Sequence, residues 1–239
     1  MSGVRAFGAM ALLAAVLAAP DLARAGDQAD CSSGKVLEMD PVRYVAACRN
    51  LAEQGYDKAQ FNLGLIYDTG QGVPQDFSEA LQWYLPAAEA GFVPAQFNLG
   101  NMYYYGWGVP QNHAQAAYWH RLAAENGHAW SQHNLAWMYQ NGQGVPQDTQ
   151  EAVQLYQRAA AQGFMLSQHD LGYLYATGKG VDLNYVEAAK WFQLAAAQGD
   201  PLAASDLAFM QDRMTAQEVT HVDQLVAAFE PVSQFTLYE

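Results

Sequence analysis

One stretch of about 36 residues occurs four times in this chain, and no other feature limits the possible fold so strongly. Residues 59–91, AQFNLGLIYDTGQGVPQDFSEALQWYLPAAEAG, return as 95–127, 131–163 and 167–199. Leucines recur at Leu63, Leu99, Leu135 and Leu171, and tyrosines at Tyr67, Tyr103, Tyr139 and Tyr175. The column Gly72, Gly108, Gly144 and Gly180 keeps the same step, as does Ala80, Ala116, Ala152 and Ala188. A period of this length marks helical solenoids, in which each unit buries its apolar face only by stacking on its neighbours. The internal repetition shows which positions share a structural task.

Within a unit the pattern predicts two helices. The first covers about 59–69, where Ala59, Leu63, Ile66 and Tyr67 fall on one face of a helical wheel. Gly64 lies beside this stripe, and its counterparts Gly100, Ala136 and Gly172 are also small. A small residue there allows close approach of the partner helix. The linker Gly70-x-Gly72-Val73-Pro74 ends the first helix, with one glycine in the left-handed region and proline blocking continuation. Val73 is expected to pack under the turn. The second helix starts at Asp76 with Glu79 three residues on, a capping-box spacing repeated at Asn112/Gln115, Asp148/Glu151 and Asn184/Glu187. It should bury Ala80, Trp83 or Tyr84, and Ala87. Pro86 is expected to kink this helix or end it early.

The segments flanking the repeats read differently. Residues 1–25 resemble a secretory signal: Arg5, an apolar run over 6–19, and Ala23-Arg24-Ala25 as a cleavage site after Ala25. An uncleaved anchor is the alternative. Export to the periplasm or beyond would put Cys31 and Cys48 in an oxidising space, where they are expected to pair and tie the polar segment 26–40 to the first helix. Two unpaired thiols are the other possibility. Asp40-Pro41 is an N-cap followed by proline at the first helical position. It opens a capping half-repeat over 41–54, four full repeats fill 55–198, and 199–230 forms a C-terminal half-repeat and cap helix. There Thr215 and Glu218 have capping-box spacing. The tail 231–239 carries Phe235, Leu237 and Tyr238.

The recurring pattern Ala-x3-Leu-Gly-x2-Tyr-x2-Gly-x-Gly-Val-x2-Asp-x3-Ala-x2-Trp-x3-Ala-Ala-x2-Gly resembles the Sel1-like repeat, a relative of the tetratricopeptide repeat, over about residues 41–213. The resemblance implies an all-α fold, a right-handed α/α superhelical solenoid, serving as an adaptor or scaffold. One secreted branch of that family carries a disulfide in each repeat and is linked to β-lactams. The repeats of this chain contain no cysteine, so that property is not carried over.

Composition narrows the function. The net charge is −13, from 11 basic and 24 acidic residues. This argues against nucleic acid and anionic lipid, which both require a basic footprint. Gly70-x-Gly72 lacks the third glycine of a dinucleotide fingerprint, Gly178-Lys179 lacks the phosphate-loop spacing, and HExxH and GxSxG motifs are absent. No catalytic set, cofactor or metal site is expected. His133 and His169 share a column and are expected to neighbour each other, without enough partners for zinc.

A second stripe lies on the first helices opposite Leu63. Phe61 and Leu65 occupy it in the first unit, and Phe97, Asn101 and Tyr104 in the second. Trp130, His133, Trp137 and Asn141 follow in the third, then His169 and Tyr173 in the fourth. Arrays of the tetratricopeptide kind line their concave surface with first helices, so these residues would form an aromatic-rich binding groove. The competing expectation is a second core in which they pack on each other. The function expected is an exported, non-enzymatic module that binds a protein or peptide segment. A carbohydrate or peptidoglycan binder is the alternative, and a β-lactam-related hydrolase is a more remote one.

Overall fold

A helix pair repeated along a chain needs a stop, a turn and a start in every copy, and the structure shows all three. The computed structural model describes Cys31 and residues 40–232. The expected signal, most of the polar segment and positions 233–239 of the tail lie outside the described residues. Regular structure among the described residues is helical: α1 (Pro41–Glu53), α2 (Asp57–Thr69), α3 (Phe77–Glu89), α4 (Val93–Tyr105), α5 (His113–Glu125), α6 (Ala129–Asn141), α7 (Thr149–Ala161), α8 (Met165–Thr177), α9 (Tyr185–Ala197), α10 (Pro201–Gln211) and α11 (Ala216–Ala227). They fall into two compact units. The first comprises residues 1–99 and 107–110, the second 100–106 and 111–239.

The stops and starts follow the chemistry of the columns. Gly70, Gly142 and Gly178 end α2, α6 and α8 in the left-handed region. The second linker glycine is also left-handed, at Gly72, Gly108, Gly144 and Gly180. It has a further reason to lack a side chain. A Cβ on Gly180 would lie 2.7 Å from Thr149, at the start of the second helix one repeat earlier. Asp76, Asn112, Asp148 and Asn184 cap the second helices by accepting from backbone amides two or three residues on. The reciprocal bond of a full capping box is formed at Thr215 and Glu218. Pro86 does not end its helix early. Helix α3 runs through it to Glu89 and has the same 13 residues as α5, α7 and α9.

In the first unit, α2 packs between α1 and α3. Leu63 and Ile66 join Tyr44, Cys48 and Leu51 in one buried cluster, with Val73 tucked beneath it. Cys31 belongs to the same cluster and forms a disulfide with Cys48. In the second unit α5 through α10 pack in sequence, and α11 lies against α9. Its main core contains Leu135, Met138, Tyr156, Leu171 and Leu174. A second cluster, built on Phe192, Met210 and Val222, closes the C-terminal end. The small column is tight in both units. A Cβ on Gly64 would come 2.5 Å from the Tyr84 ring, and one on Gly100 would come 2.6 Å from His120.

A buried glutamine completes each joint. Gln60, Gln96, Gln132 and Gln168 stand one period apart at the start of each first helix. Their amide nitrogens donate to Ala52, Ala88, Ala124 and Ala160, at the end of the preceding helix, over 3.1–3.3 Å. Each of these carbonyls also accepts from the amide of the glycine three residues on, so the glutamine adds a second bond that ties the next helix to it. Gln132 and Gln168 also accept at 2.7 Å from Gln162 and Gln198. After α11 the chain turns back along the second unit. Phe229 meets the Trp191 ring edge-on, Pro231 touches Gly163, and the Val232 amide donates to the Ala161 carbonyl at 2.9 Å.

Candidate functional site

The repeat fixes which side chains remain on the first-helix face once the core is filled. In the second unit, α6, α8 and α10 each carry two exposed apolar residues seven positions apart. They are Trp130 and Trp137, Leu166 and Tyr173, and Leu202 and Phe209. Seven residues are two helical turns, so each pair lies on one face. Steps of 36 then align Trp130, Leu166 and Leu202 in one row, and Trp137, Tyr173 and Phe209 in another. All six are 37–65 % exposed. The sequence reading placed Trp130, Trp137 and Tyr173 on this face. Leu166, Leu202 and Phe209 were missed there, although the 36-residue step would have found them.

Between the rows the face is polar. His133 Nδ1 lies 3.1 Å from the Ser167 hydroxyl and 3.7 Å from the Asp170 carboxylate, with its ring against Tyr156 and Phe164. His169 sits between two carboxylates, Asp200 at 3.3 Å from Nδ1 and Asp206 at 3.1 Å from Nε2. Each histidine reaches the helix pair that follows it. Among the described residues no group of three or more His, Cys, Asp or Glu side chains is arranged to hold a metal ion.

A cavity of about 240 Å³ opens in the second unit beside Trp137. Asn101, Tyr104, Tyr105, Asn134 and Trp137 line it, with His133 and His120 contributing imidazoles and Met138 an apolar patch. The Tyr104 ring stands edge-on to Trp137 at 6.1 Å and to Tyr105 at 4.9 Å. Its hydroxyl donates to the Gln143 side chain at 3.0 Å. Asn134 donates to Asn101 at 3.4 Å. The structure thus gathers Asn101, Tyr104, His133 and Trp137 around one opening. Trp130 is outside it, with its ring against Phe164 at 4.6 Å. Asn141 donates to the Trp137 carbonyl. Tyr173 and His169 lie one repeat further on. Phe97 belongs to the first unit and is half-buried.

The electrostatics leave the cavity without fixed positive charge. Burial, reinforced by His128, holds His120 down to about 3. Burial alone brings His133 and His128 to about 4. All three are therefore neutral at pH 7. Burial pushes the Asp170 carboxyl up to about 6; Asp200 adds to that shift, while His169 and the Tyr156 hydroxyl oppose it.

The fold and this face define the class. The Sel1 repeat family matches the chain at residues 57–92, 93–128, 131–164 and 166–200, and the chain belongs to that family. Among solved structures it is similar to a protective antigen with an SLR fold, found in uropathogenic Escherichia coli strains. The two are 38 % identical with a TM-score of 0.72, over 79 % of this chain and 41 % of that one. A Sel1 repeat protein from Oxalobacter formigenes is 35 % identical with a TM-score of 0.66, over 72 % of this chain and 50 % of that one. The chain thus spans about half or less of the length of these two relatives. An immunity protein from Pseudomonas aeruginosa, 22 % identical with a TM-score of 0.50 over 87 % and 84 % of the two chains, shares the fold. No curated protein matches. Sel1 repeats form a solenoid generally used for protein–protein interaction and typically without catalytic activity.

The Cys31–Cys48 bond suits an oxidising, extracytoplasmic environment. Among the described residues no helix is long and apolar enough to cross a membrane.

Proposed function

We propose that this protein is an exported interaction module that binds an extended segment of a protein partner across the α6–α8–α10 face. The observation that carries this reading is the pair of exposed apolar rows. Three consecutive repeats each leave two large side chains in water at the same two positions. Isolated exposed apolar residues are ordinary; aligned rows of large apolar side chains suit a docking surface, and one of them, Trp137, also lines the cavity. Between the rows, the amides, histidines and carboxylates can accept backbone and side-chain donors of an extended chain. The disulfide and the signal-like N-terminal sequence support export.

The test is a binding screen of the purified protein against extended peptides, read by tryptophan fluorescence and repeated with Trp130→Ala. Peptide hits should weaken about tenfold or more in the variant, the loss typical of an aromatic anchor. Its helical circular dichroism should be unchanged. Hits that bind the variant equally well would move the docking surface elsewhere.

A further inference from the structure

Two of the three rings in the Trp137 row already carry a cation. Lys179 Nζ lies over Tyr173 at 5.1 Å from the ring centre, and the Arg213 guanidinium lies over Phe209 at 3.3 Å. Trp137 is the third ring of the row, and among the described residues no basic group stacks on it. The repeat explains the difference. One step before Lys179 stands Gln143, which is engaged by Tyr104. Two steps before Arg213 stands Asn141. Asn141 donates to the Trp137 carbonyl at 2.8 Å just as Arg213 donates to the Phe209 carbonyl at 2.7 Å, but it brings no charge.

Trp137 also differs in bordering a cavity. Tyr104 and Tyr105 complete an aromatic wall around it, and Asn101 and Asn134 supply amide oxygens. No Lys or Arg lines the opening, and the carboxylate of Asp170 stands 3.7 Å behind His133. Aromatic faces around a site of this kind attract cations, and tryptophan does so best. The net charge of the whole chain, −13, has the sign that attracts a cation.

We propose that the Tyr104–Tyr105–Trp137 cavity is a cation cage that receives a basic side chain, arginine or lysine, from the protein segment docked on this face. The proposal rests on the reading of the face as a docking surface and names the chemistry of the central contact. The partner takes, at Trp137, the place that Lys179 and Arg213 fill on the neighbouring rings.

The probes are acetyl-arginine amide, acetyl-lysine amide, acetyl-citrulline amide and tetramethylammonium, followed by a short extended peptide carrying one arginine between two leucines and its citrulline twin. Binding to the full chain is read by tryptophan fluorescence and by NMR shifts. The two basic amides should bind, and the neutral citrulline, which has nearly the shape of arginine, should bind about tenfold more weakly or not at all. Raising the salt concentration should weaken only the cationic probes. Trp137→Leu should abolish the response to the basic amides, and Trp137→Phe should retain part of it. Tyr105→Leu, at an exposed position, gives a second loss that does not depend on the stability of Trp137→Leu. Citrulline binding as well as arginine, or arginine binding unaffected by Trp137→Leu, would overturn the cage. So would tetramethylammonium binding more tightly than both amides, since the site would then suit a small quaternary amine. If both peptides bind equally and Trp130→Ala releases both, the docking face stands and the cage fails. If the amide binds but the arginine peptide binds no better, the cage stands and the docking face fails.

Discussion

The two units fill the same repeat position with different chemistry: both rings pack on a tyrosine and a phenylalanine further along the chain, but the imidazole also makes polar contacts. Phe61 in the first unit and His133 in the second are two periods apart. Phe61 closes onto Phe92 and Tyr84, with ring centres 5.1 and 5.7 Å away, and spends its part of the face on packing. His133 turns to Ser167 and Asp170, and His169 to Asp200 and Asp206. What the histidines add in the second unit is polar reach to the next helix pair inside an otherwise constant frame.

Acid should separate the units most strongly. His120, His128 and His133 all lie in the second unit, and their pKa values are lowered by folding. Such groups contribute full stability above the ordinary histidine value near 6.5. That stability is lost as pH falls from there to about 4 for His128 and His133, and to about 3 for His120, at about 1.4 kcal/mol per pKa unit of each shift. Asp170 has the opposite sign. Its raised pKa favours the fold below the ordinary carboxylate range, an advantage lost as pH rises through about 6, and it offsets part of the histidine loss. Asp68 in the first unit is also raised by burial, so acid does not weaken that unit by this route. Hydrogen exchange at pH 7 and pH 4.5 should show protection falling first in α5 to α8. Equal loss in α2 and α3 would break the contrast.

Truncations at equivalent core positions sharpen it. Leu63→Ala and Leu135→Ala each remove a nearly inaccessible side chain and should cost about 2–5 kcal/mol. Because repeat contacts are local, exchange should rise in α1 to α3 for the first and in α6 to α8 for the second. A uniform rise in both variants would mean that the array melts as a single block. Replacing Cys48 with serine opens a covalent loop whose ends are 17 residues apart and should remove about 3 kcal/mol from the first unit alone. A calorimetric trace unchanged by the substitution would deny the bond its stabilising role. The smallest effect concerns the close-contact column. Gly64→Ala pushes a methyl group to 2.5 Å from Tyr84 and should cost about 1–3 kcal/mol. The third repeat already carries Ala136 in the same core cluster as Tyr156, so Ala136→Gly should lose only about 1 kcal/mol, from helix propensity. Similar costs at both sites would show that the two joints are packed alike.

The repeat made most of the frame legible. Periodicity gave the helix pairs, glycine gave their ends, Asp and Asn gave their starts, and the small column gave the tight crossings. The pairing of Cys31 with Cys48 also follows from an oxidising compartment. What escaped needed neighbours rather than columns. Gln60 and its copies show no role in the sequence, because the carbonyl each one meets belongs to the preceding helix. Pro86 suggests an early stop in the sequence, yet the helix continues through it to Glu89. His133 and His169 share a column, but the sequence does not show that each side chain bridges forward to the next joint. The row ending in Leu202 and Phe209 was hidden by the irregular last half-repeat, whose tyrosine column holds Gln211.

The glutamine fastener has a consequence for how such a chain can lengthen. Each module carries its own hook at one end and its own eye at the other, since Gln132 reaches Ala124 as Gln168 reaches Ala160. Duplication of one complete period delivers a matching hook and eye together, and the new seam closes without any change elsewhere. An insertion one residue short would swing the amide off its carbonyl and strand a buried polar group at the seam. Gene duplication in whole periods is thus the path of least resistance for altering the number of rungs this scaffold offers to a partner.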